Sequence, residues 1–232
     1  MYRHHLQIHR STLPLISLLF IALSFGGCTT TERARSVKTS GFLGDYSQLK
    51  PGEKNEALLY WIDPSVDFKK YDKIVIDPVT IWRSKNSNIG DLPPEEQKNL
   101  QHYLYQAVKD ALAKDYTIVE TPESGTMRIR IALTEATGST VAGDVITTYL
   151  PPGILINTAT LLTTGTSAFV GKAAGEIEIV DIVTNRRIAA AVDRRTGGKN
   201  YEGSLDTWAD VEQACDYWAE RLRQRLEELR NK

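Results

Sequence analysis

The N-terminal run that ends at Cys28 constrains this chain more than any other feature, because it decides which residues are left to build a fold. Arg3 and Arg10, with His4, His5 and His9, make a basic start, and Leu13 to Phe25 is apolar except at Pro14, Ser17 and Ser24. That stretch is too short for a membrane helix, which takes about 20 residues. Gly26 and Gly27 then leave extended backbone open to a peptidase just before the Cys28 thiol. The layout predicts a removable signal over residues 1–27. Its loss takes three of the four histidines and leaves His102. Once Cys28 is modified, Cys215 stands alone as the second of two cysteines. The remaining body is held together by packing, with no intramolecular disulfide and no His-rich metal site, and any catalytic dyad or triad has only His102 for its histidine.

Gly26-Gly27-Cys28 resembles the lipobox of bacterial lipoproteins, with Phe25 standing where leucine is usual. The resemblance implies a diacylglyceryl thioether on Cys28 and further acylation. Two or three chains, each adding about 0.8 kcal/mol per buried methylene, anchor a protein durably. The alternative is an ordinary secretory signal cut near Gly26, with Cys28 adjacent by accident. Thr29, in place of a retention-favouring Asp, points to the outer membrane with the body facing the periplasm. Residues 28–40 read as the lipidated cysteine and a flexible tether, since Thr29 to Thr39 lack the apolar content needed to order themselves. Residues 41–232 read as one domain.

Charge narrows the partners. The 28 basic residues fall to 26 without Arg3 and Arg10, against 29 acidic, a formal charge of −3. Such a surface lacks the basic field that nucleic acid requires. No cofactor and no metal are implied.

Along the body, Ile74, Ile76, Val79 and Ile81 alternate as a strand interrupted by Asp77-Pro78, an edge or bulged strand. Pro93-Pro94-Glu95-Glu96 opens a helix to about Leu112 with an apolar stripe through Leu100, Leu104 and Val108; His102 projects away from it. Tyr116 to Glu120, Met127 to Leu133, and Glu176 to Ile182 read as strands, the last turning at Thr184-Asn185 into Ile188 to Val192. Arg128 and Arg130 share one strand face and Glu176 and Glu178 another, so these strands are expected to pair. A final helix from about Asp206 aligns Trp208, Val211, Cys215, Trp218, Leu222, Leu226 and Leu229. The fold class is α+β: two layers, a mixed or antiparallel sheet of about 4–5 strands, and both main helices on one face. Phe42, Leu43, Tyr46 and Leu49 belong to a segment too short to stand alone, so it must dock on something.

Val145 to Gly171 contains no charged residue. Ile154, Leu155, Leu161 and Leu162 within it are candidate contacts for a partner or for self-association, against packing on the domain or membrane contact. Arg186-Arg187 and Arg194-Arg195, at the two ends of one strand, are candidate ligands for an anionic glycan or lipid headgroup, against solvated turn charges. Tyr60, Trp61 and Trp82 are a sugar-stacking platform or core. Gly197-Gly198-Lys199 lacks the phosphate-loop pattern, and Gly165-Thr166-Ser167-Ala168-Phe169 lacks the serine elbow. Paired carboxylates remain the one open catalytic chemistry, with Asp72, Asp77, Glu176, Asp181 and Asp193 as candidates and no spacing that selects two of them.

Ser40-Gly41-Phe42-Leu43, Asp45-Tyr46, Trp61, Pro64, Asp67-Phe68, Tyr71-Asp72, Ile76-Asp77-Pro78-Val79 and Trp82 resemble a family of bacterial lipoproteins, domain of unknown function 3313. Glu178, Asp181 and Thr184 match its later pattern, with Asn185 where glycine is usual. The resemblance implies an envelope lipoprotein and supplies no activity. The expected function is non-enzymatic: an outer-membrane-anchored, periplasmic lipoprotein that binds or scaffolds another envelope component. The alternative is a carboxylate-based peptidoglycan or glycan hydrolase.

Overall fold

Alternating Ile, Met and Val side chains along three long strands build the centre of a mixed sheet. The computed structural model describes residues 31–84, 87–139, 171–197 and 207–232. In chain order the elements are β1 (Glu32–Arg33), β2 (Lys50–Pro51), β3 (Leu59–Ile62), β4 (Lys73–Ile76), β5 (Thr80–Ile81), α1 (Pro94–Leu112), β6 (Thr117–Ile118), β7 (Thr126–Thr137), β8 (Lys172–Asp181), β9 (Arg186–Thr196) and α2 (Ala209–Arg230). The sheet runs β2-β3-β9-β8-β7-β4-β6, with β1 also on β9 and β5 also on β7. β4 is parallel to β6 and β7, and β5 to β7; the other pairings are antiparallel.

The α+β class is as expected, but among the described residues the sheet has nine strands and not 4–5. Four of them, β1, β2, β5 and β6, are two residues long. Alternation cannot be read from two residues. β4 and β5 are one strand broken at Pro78. From Ile76 to Thr80 the chain advances four residues while its partner advances three, from Ile129 to Ala132, so the extra residue is a bulge that accommodates the proline. The β8–β9 turn holds Asn185 at φ 51°, a left-handed conformation that asparagine tolerates better than most residues, which accounts for glycine at this position in the resembled pattern.

Both helices lie on one face. Leu100, Leu104 and Val108 of α1 and Val211, Cys215 and Leu226 of α2 pack onto Ile74, Met127, Ile129 and Ile188. His102 is exposed. On the opposite face Leu43 is buried against Ala190 and Val192, flanked by Phe42, Tyr46 and Leu49. The docking expected of this segment is therefore met by a strap, so that face is covered as well.

Residues 31–34, read from sequence as part of a tether, belong to the sheet. Thr31 is buried and its hydroxyl donates to the Thr196 carbonyl at 3.2 Å; Ala34 N–H donates to the Arg194 carbonyl at 3.0 Å. Polar composition kept this segment from ordering itself, but the open edge of β9 supplies hydrogen bonds that composition does not register.

Cys215 is wholly buried in the helix interface, and burial pushes its thiol well above the ordinary range. A thiol held protonated and out of solvent does not attack a disulfide reagent. Native protein is expected to leave Cys215 unmodified by Ellman's reagent until denaturant is added; prompt release of one equivalent from folded protein would contradict the packing described.

Candidate functional site

Among the described residues, two helices do not cover the whole width of the sheet. Toward the β3 edge the floor is made of small residues, Gly175 of β8 and Ala189 and Ala191 of β9, which keep the surface low. Trp218, Leu222, Leu226 and Leu229 of α2 form one wall, and Tyr60 and Ile62 of β3 stand opposite. The result is an apolar groove of about 170 Å³, in which Ile177 and Ala191 stay only half-buried. A dry apolar cavity of about 150 Å³ accepts a six-carbon ring, so this groove has room for a short apolar group.

Polar groups define its ends. Asp193 lies in the floor, buried, accepting from Trp218 Nε1–H at 2.8 Å and from Leu58 N–H at 3.1 Å. Burial raises its pKa, and the Trp218 hydrogen bond and the Arg195 charge oppose the rise only in part. At the mouth, Arg225 pairs with Glu56 at 3.1 Å and Glu228 at 2.8 Å. Arg221 differs. Its guanidinium donates to the Asn55 carbonyl at 2.9 Å and to Gln224 Oε1 at 2.7 Å, both neutral, and it makes no ion pair among the described residues. The site is therefore an apolar slot with one cation at its mouth that lacks a carboxylate partner among the described residues, suited to an acidic group on an apolar stem.

The four arginines singled out from sequence are all engaged within the fold. Arg186 pairs with Asp63 at 2.5 Å. Arg187 pairs with Glu178 at 2.8 Å and donates to the carbonyls of Leu43 and Asp45 in the strap. Arg194 grips Glu135 with two bonds of 2.7 and 2.8 Å. Arg195 is buried, stacks 3.7 Å from the Tyr217 ring centroid and donates to the Thr31 carbonyl at 2.8 Å. Arg187, Arg194 and Arg195 are internal ties along β9, whereas Arg186, 53% exposed, keeps contact with solvent at the turn. Ile154, Leu155, Leu161, Leu162 and Cys28 lie outside the described residues.

The expected pairing of the charged strands is observed: Arg130 stands directly opposite Glu178 and forms an ion pair with it. Arg128 instead pairs with Asp77 at 2.9 Å. Of the carboxylates considered for catalysis, Glu176, Asp181 and Asp193 are buried. Glu176 accepts from the Ser40 N–H and the Tyr46 hydroxyl, each at 2.6 Å, beneath the strap. Trp82 donates to the Ser40 carbonyl and meets Phe42 edge-on at 5.4 Å, so Trp82 belongs to the strap while Tyr60 and Trp61 line the groove. Among the described residues no cluster of three His, Cys, Asp or Glu is placed to hold a metal, and no helix is long and apolar enough to cross a membrane. The groove escaped the sequence reading because its floor is written in alanine and glycine, which carry no chemical signal.

Comparison with known proteins adds a family and relatives. The family described as Protein of unknown function (DUF3313) matches residues 38–222. The Uncharacterized lipoprotein YdcL of Escherichia coli K12 is 28% identical over 201 residues, covering 84% of this chain and 87% of that protein. Among solved structures, the PelC dodecamer from Paraburkholderia phytofirmans is similar with a TM-score of 0.38 at 12% identity, covering 70% of this chain and 95% of that one. XCC0632 from Xanthomonas campestris also gives 0.38 at 10% identity, covering 70% and 87%. Likenesses this low assign no function.

Proposed function

Because the chain belongs to the DUF3313 family and has a lipoprotein among its relatives, we propose that it is a non-enzymatic lipoprotein, acylated on Cys28, anchored in the outer membrane and facing the periplasm. Its folded body binds an amphiphilic envelope component, with a short apolar stem in the groove between α2 and β3 and an acidic head at Arg221. The observation that carries the binding reading is the open groove with Arg221, uncompensated by any described carboxylate, at its mouth. The placing of the anchor is supported by the lipobox at Cys28 and by Thr29 after it. Self-association or an envelope protein as partner through Ile154, Leu155, Leu161 and Leu162 belongs to the same class of function and is separated from it by deleting that segment.

The test uses a Cys28→Ala form and a fluorescent medium-chain fatty acid. Ala191→Phe, which fills the floor, is expected to weaken binding about tenfold or more, the equivalent of about 1.4 kcal/mol. Arg221→Gln is expected to weaken the acid but leave the matching alcohol unchanged. Equal binding by all three proteins would rule the groove out. A lytic band on a peptidoglycan zymogram, lost on substituting one carboxylate, would replace the binding reading with the hydrolase.

A further inference from the structure

The pairing of β1 fixes how the body stands on its membrane. Thr31 is held at the end of β9 by its own hydroxyl on the Thr196 carbonyl and by Arg195 on its carbonyl. Only Thr29 and Thr30 then separate it from Cys28. Three residue steps reach at most about 11 Å, scarcely more than the headgroup layer, which is roughly 5–8 Å deep on each side of a bilayer. A coil of eleven residues would let the body tumble; this link does not.

At the end of the sheet beside Thr31, strands and helix pack closely. Thr137 pairs with Lys172 and Lys172 with Thr196, so β7, β8 and β9 share this end. Gly138, Gly171 and Gly197 continue those strands, and the first turn of α2 lies directly on them: a Cβ at Gly197 would sit 2.3 Å from Asp210 Cγ, and one at Gly138 would sit 2.4 Å from Thr207 Cγ2. Asp210 is occupied by the Gly171 N–H at 2.7 Å. Beside this end, a polar cleft lined by Ser36, Thr39, Lys38 and Lys172 opens on the strap face. Neither lysine forms an ion pair among the described residues, and Lys38 is exposed. Exposed lysines next to a membrane surface are attracted by anionic lipid.

We propose that this end of the sheet, with Lys38 and Lys172, rests on phospholipid headgroups, while the β8–β9 turn at Val183 to Asn185 points away from the bilayer. The ten residues of β8 place that turn about 33 Å from the headgroup surface. Leu222 lies about 18 Å along α2 from Asp210. The groove therefore opens to the aqueous side, and its ligand arrives from solution and not from the bilayer that holds the anchor. The orientation rests on acylation of Cys28 from the proposed function and is independent of what the groove binds.

The experiment uses the full acylated protein in vesicles of phosphatidylethanolamine and phosphatidylglycerol. Spin labels are placed at Glu32→Cys, four residues after the anchor, and Val183→Cys, which is 72% exposed. Collision with a water-soluble nickel chelate is compared with the same labels on the Cys28→Ala form. At position 32 vesicle attachment is expected to reduce collisions about five-fold, as the label enters the headgroup layer, with no change at position 183. A twelve-residue Gly-Ser insert between Thr30 and Thr31, combined with Lys38→Gln and Lys172→Gln, is expected to abolish that protection. Equal access at 32 and 183, or protection that survives the insert and both substitutions together, overturns the orientation. Palmitate labelling of the same sample separates the two failures: an unlabelled protein overturns the anchor as well, whereas a labelled protein without protection overturns the orientation alone.

Discussion

A Glu178→Gln variant is expected to lose about 3 kcal/mol of stability, the lower end of the range for breaking a buried ion pair. Glu178 is 5% exposed, with Arg130 opposite it on β7 and Arg187 near it on β9. One carboxylate therefore ties together three neighbouring strands. Arg187 also donates to the Leu43 and Asp45 carbonyls, so the same anion indirectly positions the strap. A neutral amide leaves two guanidinium groups facing each other across it. Arg130 is nearly half-exposed and water offsets part of its loss; Arg187 is not so relieved. At about 2–4 °C per kcal/mol for a body of this size, melting falls by about 6–12 °C. The strap is also expected to become the first site of proteolysis. Glu123→Gln, which removes a well-exposed partner of Lys73 at 3.6 Å, serves as the control and is expected to cost less than about 1 kcal/mol. Melting temperatures of the two variants that agree within error would show that the buried cluster contributes nothing.

That cluster was half legible in the sequence. Alternating Arg128-Arg130 and Glu176-Glu178 on strand-forming segments announced the pairing of the two strands but not its register: only Arg130 meets Glu178, while Arg128 stands opposite Val180 and Glu176 opposite Ala132. What remained hidden was its depth. Glu178 and Glu176 are buried because the strap lies over them, and the strap is ordered by Ala190 and Val192, more than a hundred residues away. The helices and the long strands were readable for the opposite reason: their period is local. β1 and β2 have no period, and the residues around β1 look like a tether until an open strand edge is available to receive them. The groove is a property of the space that the described residues leave between α2 and β3, and a run of Ala189-Ala190-Ala191 gives no hint that a helix stops short of covering it.

Asp181 carries the second large effect, and pH decides its sign. The carboxylate accepts from the Tyr71 hydroxyl at 2.5 Å, Lys70 at 3.1 Å, the N–H groups of Val183 and Thr184 at 3.0 and 2.9 Å, and the Thr184 hydroxyl at 3.0 Å. Burial alone would raise its pKa, but these donors, Tyr71 foremost, outweigh burial and hold it well below the usual carboxylate range. Burial and the same carboxylate push the Tyr71 hydroxyl up to about 12. A folded pKa below the unfolded value of about 3.9 means that stability from Asp181 is complete above about pH 4 and is lost as pH falls toward the folded pKa. Asp193 works the other way. Its raised pKa gives a contribution that is complete below the unfolded value and lost as pH rises through the folded one. Asp181→Asn is therefore expected to cost about 3 kcal/mol at pH 7, because an amide keeps one acceptor oxygen and turns a donor toward Tyr71 or Thr184. The difference from the parent protein should stay constant between pH 5 and pH 8 and shrink below about pH 4, as the unfolded parent takes up a proton that the folded carboxylate still resists. Urea unfolding at pH 7 and pH 3 measures both, and a gap between parent and variant that is as wide at pH 3 as at pH 7 would show that the five donors act through shape and not through the carboxylate charge.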